Sequence, residues 1–174
     1  MIEEVRIRRV LPDDGAKLYR AIRQSFEQLH RWMFWCHENY SIEETEEWVL
    51  RQFKLYEEGL EYEMLIENQD GKILGACGLN HLDPNRCANL GYWVRTDCAN
   101  AGVATRAVQQ LLDWARQNTN LMRLEIVASI KNGPSNAVAQ KCGATLEGVA
   151  RRRLLLPDGF HDCNIYAILL RNDI

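Results

Sequence analysis

The sequence predicts an α+β fold in which a mixed sheet of about seven strands is flanked by about four helices. Two observations predict it: segments of alternating polar and apolar residues are separated by segments with helical spacing, and the elements follow the order β-α-α-β-β-β-α-β-α-β-β. The 174 residues, 47% of them hydrophobic, can bury one good core but hardly two. We therefore expect a single domain over residues 1–174.

The first third of the chain predicts one strand and two helices. Residues 4–11 alternate polar and apolar side chains and predict the first strand. Pro12 opens a helix on which apolar residues recur every fourth position as far as Phe26. Ser41-Ile-Glu-Glu44 is a capping-box pattern that starts a second helix, which ends at Gly59.

The middle of the chain predicts a meander followed by a helix. Strands at 62–67 and 73–80 form a hairpin, because an Asp-Gly pair between apolar runs is a strong turn signal. A third strand follows at 88–95. Apolar residues from Val103 to Ala115 then make a wide stripe at helical spacing.

The last third predicts a strand, a short helix and a hairpin. Residues 121–130 alternate as a strand with one buried face does. A helix starts at Pro134 and ends at Gly143. Strands at 154–156 and 160–170 then flank a Pro-Asp-Gly turn.

Charge and cysteine content narrow the function classes. Lys and Arg number 21 against 24 Asp and Glu, so the net charge of −3 gives no electrostatic attraction for nucleic acid or an anionic membrane, and we expect neither as a partner. The charged first twenty residues contain no apolar signal segment, which favours a cytoplasmic protein. The six cysteines show no C-x-x-C pair and no metal-ligand spacing, so we expect free thiols and no metal.

The most informative segment is Leu90 to Thr105. It predicts a strand that runs into a turn of small residues and then into a helix. The N–H groups of such a turn, together with the positive end of the helix dipole, are suited to binding an anion. Many turns of this kind bind nothing, so the neighbouring motifs must show whether this one is an anion site.

Those motifs resemble one family across nearly the whole chain. The resemblance rests on a tryptophan segment, a strand with its turn, and the elements that follow: Leu29-His-Arg-Trp-Met-Phe-Trp35, Gly91-Tyr-Trp-Val-Arg95, Gly102-Val-Ala-Thr105, Arg123-Leu-Glu125, Asn132-Gly-Pro-Ser135, Lys141-Cys-Gly143, Glu147-Gly148, Asp162 and Tyr166. These segments, in this order, are similar to the GNAT (GCN5-related) N-acetyltransferases, and within them to the ribosomal-protein-serine, RimJ/RimL-like branch.

The resemblance implies the GNAT fold, with a twisted, mostly antiparallel sheet, and it implies acetyl transfer to an amine. In a member of this branch, a primary amine attacks acetyl-CoA directly and takes its acetyl group. The acceptor expected for this protein is the N-terminal α-amine of a protein such as a ribosomal protein. Two alternatives stay open: a small-molecule amine as the acceptor, or a domain that binds acyl-CoA without turnover. Homodimers are common in the branch.

The resemblance also implies which residues bind CoA. In the family, the turn binds the pyrophosphate, and the strand before it is kinked away from its neighbour so that pantetheine pairs with the free edge. The implied binding residues are Trp93, Val94, Arg95, Asn100, Ala101, Gly102, Val103, Ala104, Thr105, Asn132, Ser135 and Lys141. This chain lacks the usual glycine and basic residue at 99–101. Asn100 can supply the left-handed backbone, and Arg95 or Arg106 would have to supply the charge.

The catalytic residues rest on fewer motifs than the CoA site. Ser135, with Asn132, is the implied donor to the departing sulfur, because the tyrosine of many relatives is replaced by Ala139. The alternative for Ser135 is a helix cap. Relatives often have a glutamate base where this chain has Asn89.

The remaining candidates for a base are His81, Glu125 and Asp162. Deprotonating a lysine at pH 7 costs about 4.6 kcal/mol, whereas an α-amine costs about 1 kcal/mol. A site with a weak base should therefore prefer α-amines. Trp32, Trp35 and Trp48 are expected to line the acceptor cleft.

Overall fold

The computed structural model describes residues 4–171, and within them it has seven strands and five helices. In chain order they are β1 (Arg6–Arg9), α1 (Gly15–Arg23), α2 (Phe26–Trp32), α3 (Ile42–Glu57), β2 (Tyr62–Glu67), β3 (Ile73–Asn80), β4 (Cys87–Val94), α4 (Val103–Asn118), β5 (Arg123–Ser129), α5 (Gly133–Lys141), β6 (Thr145–Leu156) and β7 (Gly159–Leu169). The predicted α+β fold is confirmed.

The seven strands form a single mixed sheet in the order β1-β2-β3-β4-β5-β7-β6. Every neighbouring pair is antiparallel except β4 and β5, which are parallel. That parallel pairing is short, covering Cys87–Asn89 of β4 against Arg123–Glu125 of β5. Beyond it, β4 stays with β3 as far as Val94 and β5 stays with β7 as far as Ser129. The sheet therefore opens into a fork between β4 and β5.

Helices cover both faces of this sheet. On one face, α4 and α5 pack on a core that includes Leu111, Leu124 and Tyr166. On the other face, the three N-terminal helices pack on a second core that includes Leu18 and Val49. No helix in the described part of the chain has the length and apolar character needed to cross a bilayer.

The N-terminal region contains one helix more than predicted. The pattern that was expected to run to Phe26 stops at Arg23, and Phe26 instead begins α2. The break is at Ser25, whose hydroxyl accepts a hydrogen bond from the N–H of Thr96 at 3.0 Å. This bond links the break to the loop after β4, a contact across 71 positions that apolar periodicity cannot show.

The C-terminal hairpin is longer than predicted. β6 begins at Thr145 rather than at residue 154, and most of its residues are exposed. It is one of the two edge strands of the described sheet and pairs with β7, with two irregularities in register. Because the strand buries so little, its sequence lacks the alternation that identifies an inner strand. The helix capping box at Ser41 and the 62–67/73–80 hairpin are confirmed.

Candidate functional site

The turn between β4 and α4 has the backbone geometry that the sequence predicts. Asn100 and Gly102 both adopt left-handed conformations, with φ of +60° and +74°. Gly102 occupies the N-cap position of α4, and its helix end has no side-chain cap. A Cβ on Gly102 would meet nothing within 4 Å, so the space beside this turn is open. Asn100 therefore replaces the glycine of the family motif, as expected from its tolerance of positive φ.

The start of α4 presents backbone donors at this turn. The N–H of Arg106 donates to the carbonyl of Gly102 at 3.0 Å, which is the first bond of the helix ladder. The N–H groups of residues 103–105 precede that bond and have no partner within the helix. They lie at the positive end of the helix dipole, where an anion is stabilised by about 0.3–1 kcal/mol.

A guanidinium adds positive charge at the turn, and it belongs to Arg106. Its Nη2 donates to the carbonyl of Ala101 at 3.2 Å. The guanidinium of Arg95 is instead buried against Asp97, at 2.6 Å, and donates to the carbonyl of Ile73 at 3.3 Å. Of the two arginines considered from sequence, Arg106 is thus the one positioned over the turn.

The fork supplies a free strand edge beside the turn. In the described chain, β4 has no strand partner on its β5 side from Leu90 to Val94. The N–H of Arg95 donates to the Leu74 carbonyl at 2.7 Å and its carbonyl accepts from the Cys98 N–H at 2.9 Å, so the backbone of Arg95 is already bonded within the protein. Unpaired backbone groups at such an edge need hydrogen-bonding partners. The amides of a pantetheine arm are suitable partners, so the turn, the helix start and this edge together fit CoA.

Ser135 and Asn132 lie together at the start of α5. Asn132 is the N-cap, and its Oδ1 accepts from the N–H of Ser135 at 3.2 Å. The hydroxyls of Ser135 and Tyr92 are 3.1 Å apart, and the Tyr92 hydroxyl also donates to the Ser135 carbonyl at 2.8 Å. Burial raises the pKa of Tyr92 to about 12, so this phenol stays neutral and can donate. Tyr92 therefore connects β4 to α5 across the fork.

A buried amide network holds the start of α5 from behind. The Nδ2 of Asn136 donates to the carbonyls of Ser129 and Asn132, at 2.9 and 2.7 Å. Its Oδ1 accepts from Asn164 Nδ2 at 2.6 Å and from the Tyr166 hydroxyl at 3.0 Å. The helix start that carries Ser135 is thereby fixed to β5 and β7. The sequence motifs gave no role to either Tyr92 or Asn136, because the partners of both side chains lie on elements distant in the chain.

The three candidates for a base are placed differently from one another. His81 is exposed in the loop after β3, with φ of +53°. Glu125 forms an ion pair with Arg123 at 2.9 Å. Asp162 accepts a hydrogen bond from the backbone N–H of Arg152 at 2.8 Å. In the described residues, none of the three is hydrogen-bonded to Ser135.

A fourth carboxyl, which the sequence analysis did not single out, lies on β2. Glu63 is partly buried, and burial raises its pKa to about 7. Its Oε1 accepts from Asn80 Nδ2 at 3.0 Å, and Asn80 Oδ1 accepts from Asn89 Nδ2 at 2.9 Å. Asn89 is the position for which the family resemblance implies a glutamate. A charged residue in strand alternation usually faces solvent, so the sequence pattern does not indicate this hydrogen-bonded network.

The three tryptophans of the predicted cleft separate into two groups. Trp35 and Trp48 pack against the core formed by the N-terminal helices, and the ring of Trp35 is 5.6 Å from that of Tyr40. Trp32 instead reaches the C-terminal hairpin, where it meets the ring of His161 edge-on at 6.3 Å. Trp32 therefore joins α2 to β7 on the face of the sheet opposite α4.

His161 belongs to a second polar chain. Its Nδ1 is 2.8 Å from the hydroxyl of Ser129, at the end of β5, and its Nε2 is 2.7 Å from a carboxylate oxygen of Asp158. Ser129 and His161 are both buried, so this serine is not accessible as a nucleophile. Lys141 is exposed in the last turn of α5.

The cysteines are free thiols, as predicted. Burial raises the pKa of Cys142 to about 11, so that thiol is protonated at neutral pH. Across residues 4–171, no three His, Cys, Asp or Glu side chains come together in a way that could hold a metal ion.

Comparison with known proteins identifies the family. Residues 4–145 match the family model described as an acetyltransferase (GNAT) domain. The chain belongs to the GNAT acetyltransferase family. It is an acetyl-CoA-dependent N-acetyltransferase, as the sequence motifs predict.

Relatives cover almost the whole chain. YdaF of Bacillus subtilis (strain 168), assigned provisionally as a ribosomal N-acetyltransferase, is 31% identical over 97% of this chain and 93% of its own length. The ribosomal-protein-serine acetyltransferase of Escherichia coli (strain K12) is 27% identical over 97% of this chain and 94% of its own.

Solved structures agree with this relationship. The RimL ribosomal L7/L12 α-N-protein acetyltransferase, in complex with coenzyme A, superposes with a TM-score of 0.92 at 26% identity, covering 98% of this chain and 97% of that one. The microcin C7 self-immunity acetyltransferase MccE, in complex with acetyl-CoA and AMP, gives 0.89 at 25% identity, covering 96% and 93%.

Proposed function

We propose that this enzyme acetylates α-amines, and specifically the N-terminal amine of a protein such as a ribosomal subunit protein. The relatives support this acceptor, since one is named for a ribosomal-protein serine and another for the α-amine of L7/L12. Proteins of this kind are made and assembled in the cytoplasm, and we place the enzyme there.

The observation that carries the proposal is the fork between β4 and β5. The left-handed turn, the uncapped start of α4 and the free edge of β4 meet there, and Tyr92 brings Ser135 across it. In one place the chain thus offers donors for a diphosphate, backbone partners for pantetheine and a hydroxyl beyond them.

Individual residues then take the following roles. Main-chain N–H groups of Asn100 to Thr105 hold the pyrophosphate, with charge from Arg106, and Val94 offers the backbone groups of the free β4 edge to pantetheine. Lys141 is the last residue of α5, and its exposed ammonium group is proposed as a further cation for CoA. Bound acetyl-CoA supplies a thioester carbonyl to the amine nitrogen.

Ser135 is the proposed donor of a hydrogen bond to the departing sulfur. The Asn132 cap and the buried Asn136 network fix the helix start that carries Ser135, and its O–H turns from the Tyr92 oxygen to the sulfur as charge develops there. A preorganised donor of this kind stabilises charge as it develops in the transition state. Asn132 acts as a positioning residue, because its side-chain oxygen is used by the cap.

The preference for an α-amine follows from the acceptor side. Glu125 and Asp162 are held by Arg123 and by the backbone of Arg152, and His81 lies in an exposed loop. An α-amine is partly neutral at pH 7, whereas a lysine needs about 3.6 kcal/mol more for deprotonation. An enzyme without a strong carboxylate base beside the amine therefore acts best on α-amines.

The test is an acetyl-transfer assay with matched acceptors. The enzyme is incubated with acetyl-CoA and a peptide that begins with serine and contains an internal lysine, and released thiol and peptide mass are measured. We expect one acetyl group on the α-amine and none on the lysine. The same peptide with a blocked N-terminus is the control. Thiol release with small amines alone would replace the protein acceptor by a small-molecule amine.

Two further arms address the remaining alternatives. CoA binding without thiol release from any acceptor would indicate a binding module instead of an enzyme acting on amines. Light scattering of the purified chain measures the oligomeric state, for which we propose a homodimer. A monomer with full activity would remove that proposal without touching the acceptor.

A further inference from the structure

A chain of three polar side chains crosses three neighbouring strands on the face covered by the N-terminal helices. It runs from Glu63 on β2 to Asn80 on β3 and Asn89 on β4, with successive hydrogen bonds of 3.0 and 2.9 Å. Glu63 shares this face with Leu65, which lies in the core of the N-terminal helices. Asn89 is the last residue of β4 that pairs with β5. This row of hydrogen-bonded side chains therefore ends where the fork between β4 and β5 opens.

Two glycines make room for this chain. Gly78 lies opposite Glu63 in register, and Gly91 lies opposite Gly78. A Cβ on Gly78 would lie 2.2 Å from Oε2 of Glu63, so the glutamate side chain lies flat over β3. A Cβ on Gly91 would have the amide nitrogens of Asn89 and Asn80 as its nearest neighbours, at 3.9 and 4.0 Å. The carboxyl thus reaches toward β4 across strand positions that have no side chain.

The chemistry of a carboxylate sets the direction of every hydrogen bond in this chain. An ionised Glu63 can only accept, so Asn80 must turn its NH₂ group toward it. The carbonyl oxygen of Asn80 then faces Asn89, which must donate through its own NH₂ group. This leaves the Oδ1 of Asn89 as an acceptor at the fork. A protonated Glu63 can also donate, and the direction is then no longer fixed.

We propose that the hydrogen-bonded side chains of Glu63, Asn80 and Asn89 recognise the acceptor amine. The Oδ1 of Asn89 accepts an N–H of the amine, and Glu63 is a positioning residue that orients this oxygen and contributes negative charge. The inference rests on the proposed function and names the residues that replace the glutamate relatives often carry at Asn89.

The recognised nitrogen becomes positively charged during the reaction. It forms its bond to the thioester carbon as the C–S bond breaks, its surplus proton leaves to water, and the departing sulfur, hydrogen-bonded by Ser135, takes a proton from solvent. Negative charge on Glu63, relayed through two polarised amides, stabilises that positive nitrogen.

Protonation of Glu63 makes this recognition dependent on pH. Burial raises the pKa of Glu63 to about 7, the hydrogen bond from Asn80 opposes that rise, and the negative charge of Glu61 adds to it. The buried thiol of Cys77 on β3 also interacts with Glu63, and burial together with the charge of Glu63 raises the pKa of that thiol. From α3, Gln52 donates to Glu61 at 3.1 Å. Above about pH 7 the chain is polarised, and below it the polarity is lost.

The test compares the pH dependence of kcat/KM for the serine-initiated peptide in wild type and Glu63→Gln. For wild type we expect a slope of about two in log(kcat/KM) at low pH, because both the amine and Glu63 must lose a proton. For Glu63→Gln we expect a slope of about one, and a kcat/KM about tenfold lower at pH 8. Glu61→Gln is the charge-matched control and should keep the wild-type slope. CoA affinity reports that each variant is folded.

Two further variants keep the test decisive. Gly78→Ala displaces the carboxyl of Glu63 while leaving its charge in the protein, and should lower kcat/KM as Glu63→Gln does. Adding Asn89→Glu to Glu63→Gln should restore most of the lost rate, since it returns a carboxylate to the fork. An unchanged slope and rate in Glu63→Gln, or the same loss in Glu61→Gln, overturns this proposal alone. A wild-type enzyme that transfers no acetyl group to any amine overturns the proposed function as well.

Discussion

The CoA side and the acceptor side of the fork are built in different ways. On the CoA side, the binding groups are main-chain N–H groups, which two left-handed residues and the start of α4 hold in place. On the acceptor side, the groups are side chains from strands far apart in sequence, such as Glu63 and Asn89. Changes of side chain are therefore tolerated on the first side and costly on the second.

The turn at 99–101 illustrates the first kind of site. Its family glycine and basic residue are replaced, yet Asn100 keeps the left-handed backbone and Arg106 lies over Ala101. The second kind has changed more deeply. The glutamate expected at Asn89 is absent, and a carboxyl on β2 is connected to that position through Asn80.

Ser135→Ala should show the largest effect on chemistry. Loss of the hydroxyl should lower kcat by about 10²-fold, because a preorganised donor to developing charge is removed. CoA affinity should stay within about twofold, since the N–H of Ser135, which Asn132 caps, is retained. Steady-state kinetics and calorimetry measure the two quantities. A large loss of affinity with unchanged kcat would make Ser135 a structural cap.

Comparison with Glu63→Gln should show that the ionised carboxyl of Glu63 lowers the stability of the wild type, and that this difference grows with pH. The pKa of Glu63 is raised from 4.5 to about 7 in the folded protein, so folding favours its protonated form. Wild type should therefore lose stability relative to the variant as the pH rises from about 4.5 to 7, by about 1–3 kcal/mol, and the difference should be constant above that range. Urea unfolding at pH 4, 6 and 8 checks this; a difference that does not change with pH would contradict the burial of the carboxyl.

Asn100→Gly should have the smallest effect. Glycine reaches the left-handed conformation without strain, so the turn keeps its geometry and CoA affinity should change by less than about twofold. Calorimetry with CoA checks this prediction. A loss of tenfold or more would mean that the Asn100 side chain, and not the backbone, binds the nucleotide.

The sheet, most helices and the turn are predictable from the sequence because they follow from local patterns. The capping box at Ser41, the Asp-Gly hairpin and the positive φ of Asn100 each depend on residues close together in the chain. The exposed strand β6 and the break at Ser25 depend instead on edge position and on a distant partner.

The missed site residues have the same explanation. Tyr92 meets Ser135 across 43 positions, and Glu63 meets Asn80 across 17. Glu63 and Asn80 meet through sheet register, and Tyr92 and Ser135 meet between a strand and a helix, and the periodicity of one segment encodes neither contact. The acceptor cleft expected from the three tryptophans stays a prediction, and the ring of Trp32 meets that of His161 on β7.

Calorimetric titration of CoA into wild type and Gly102→Val tests the central claim most directly. Valine is strained at the φ of +74° that this turn requires, so the turn should move its N–H groups away from the diphosphate. We predict binding of one CoA per wild-type chain and an affinity at least about tenfold lower in the variant, with circular dichroism showing that both are folded. No heat of binding with wild type, or equal affinity in the two proteins, would contradict a CoA site formed by this backbone.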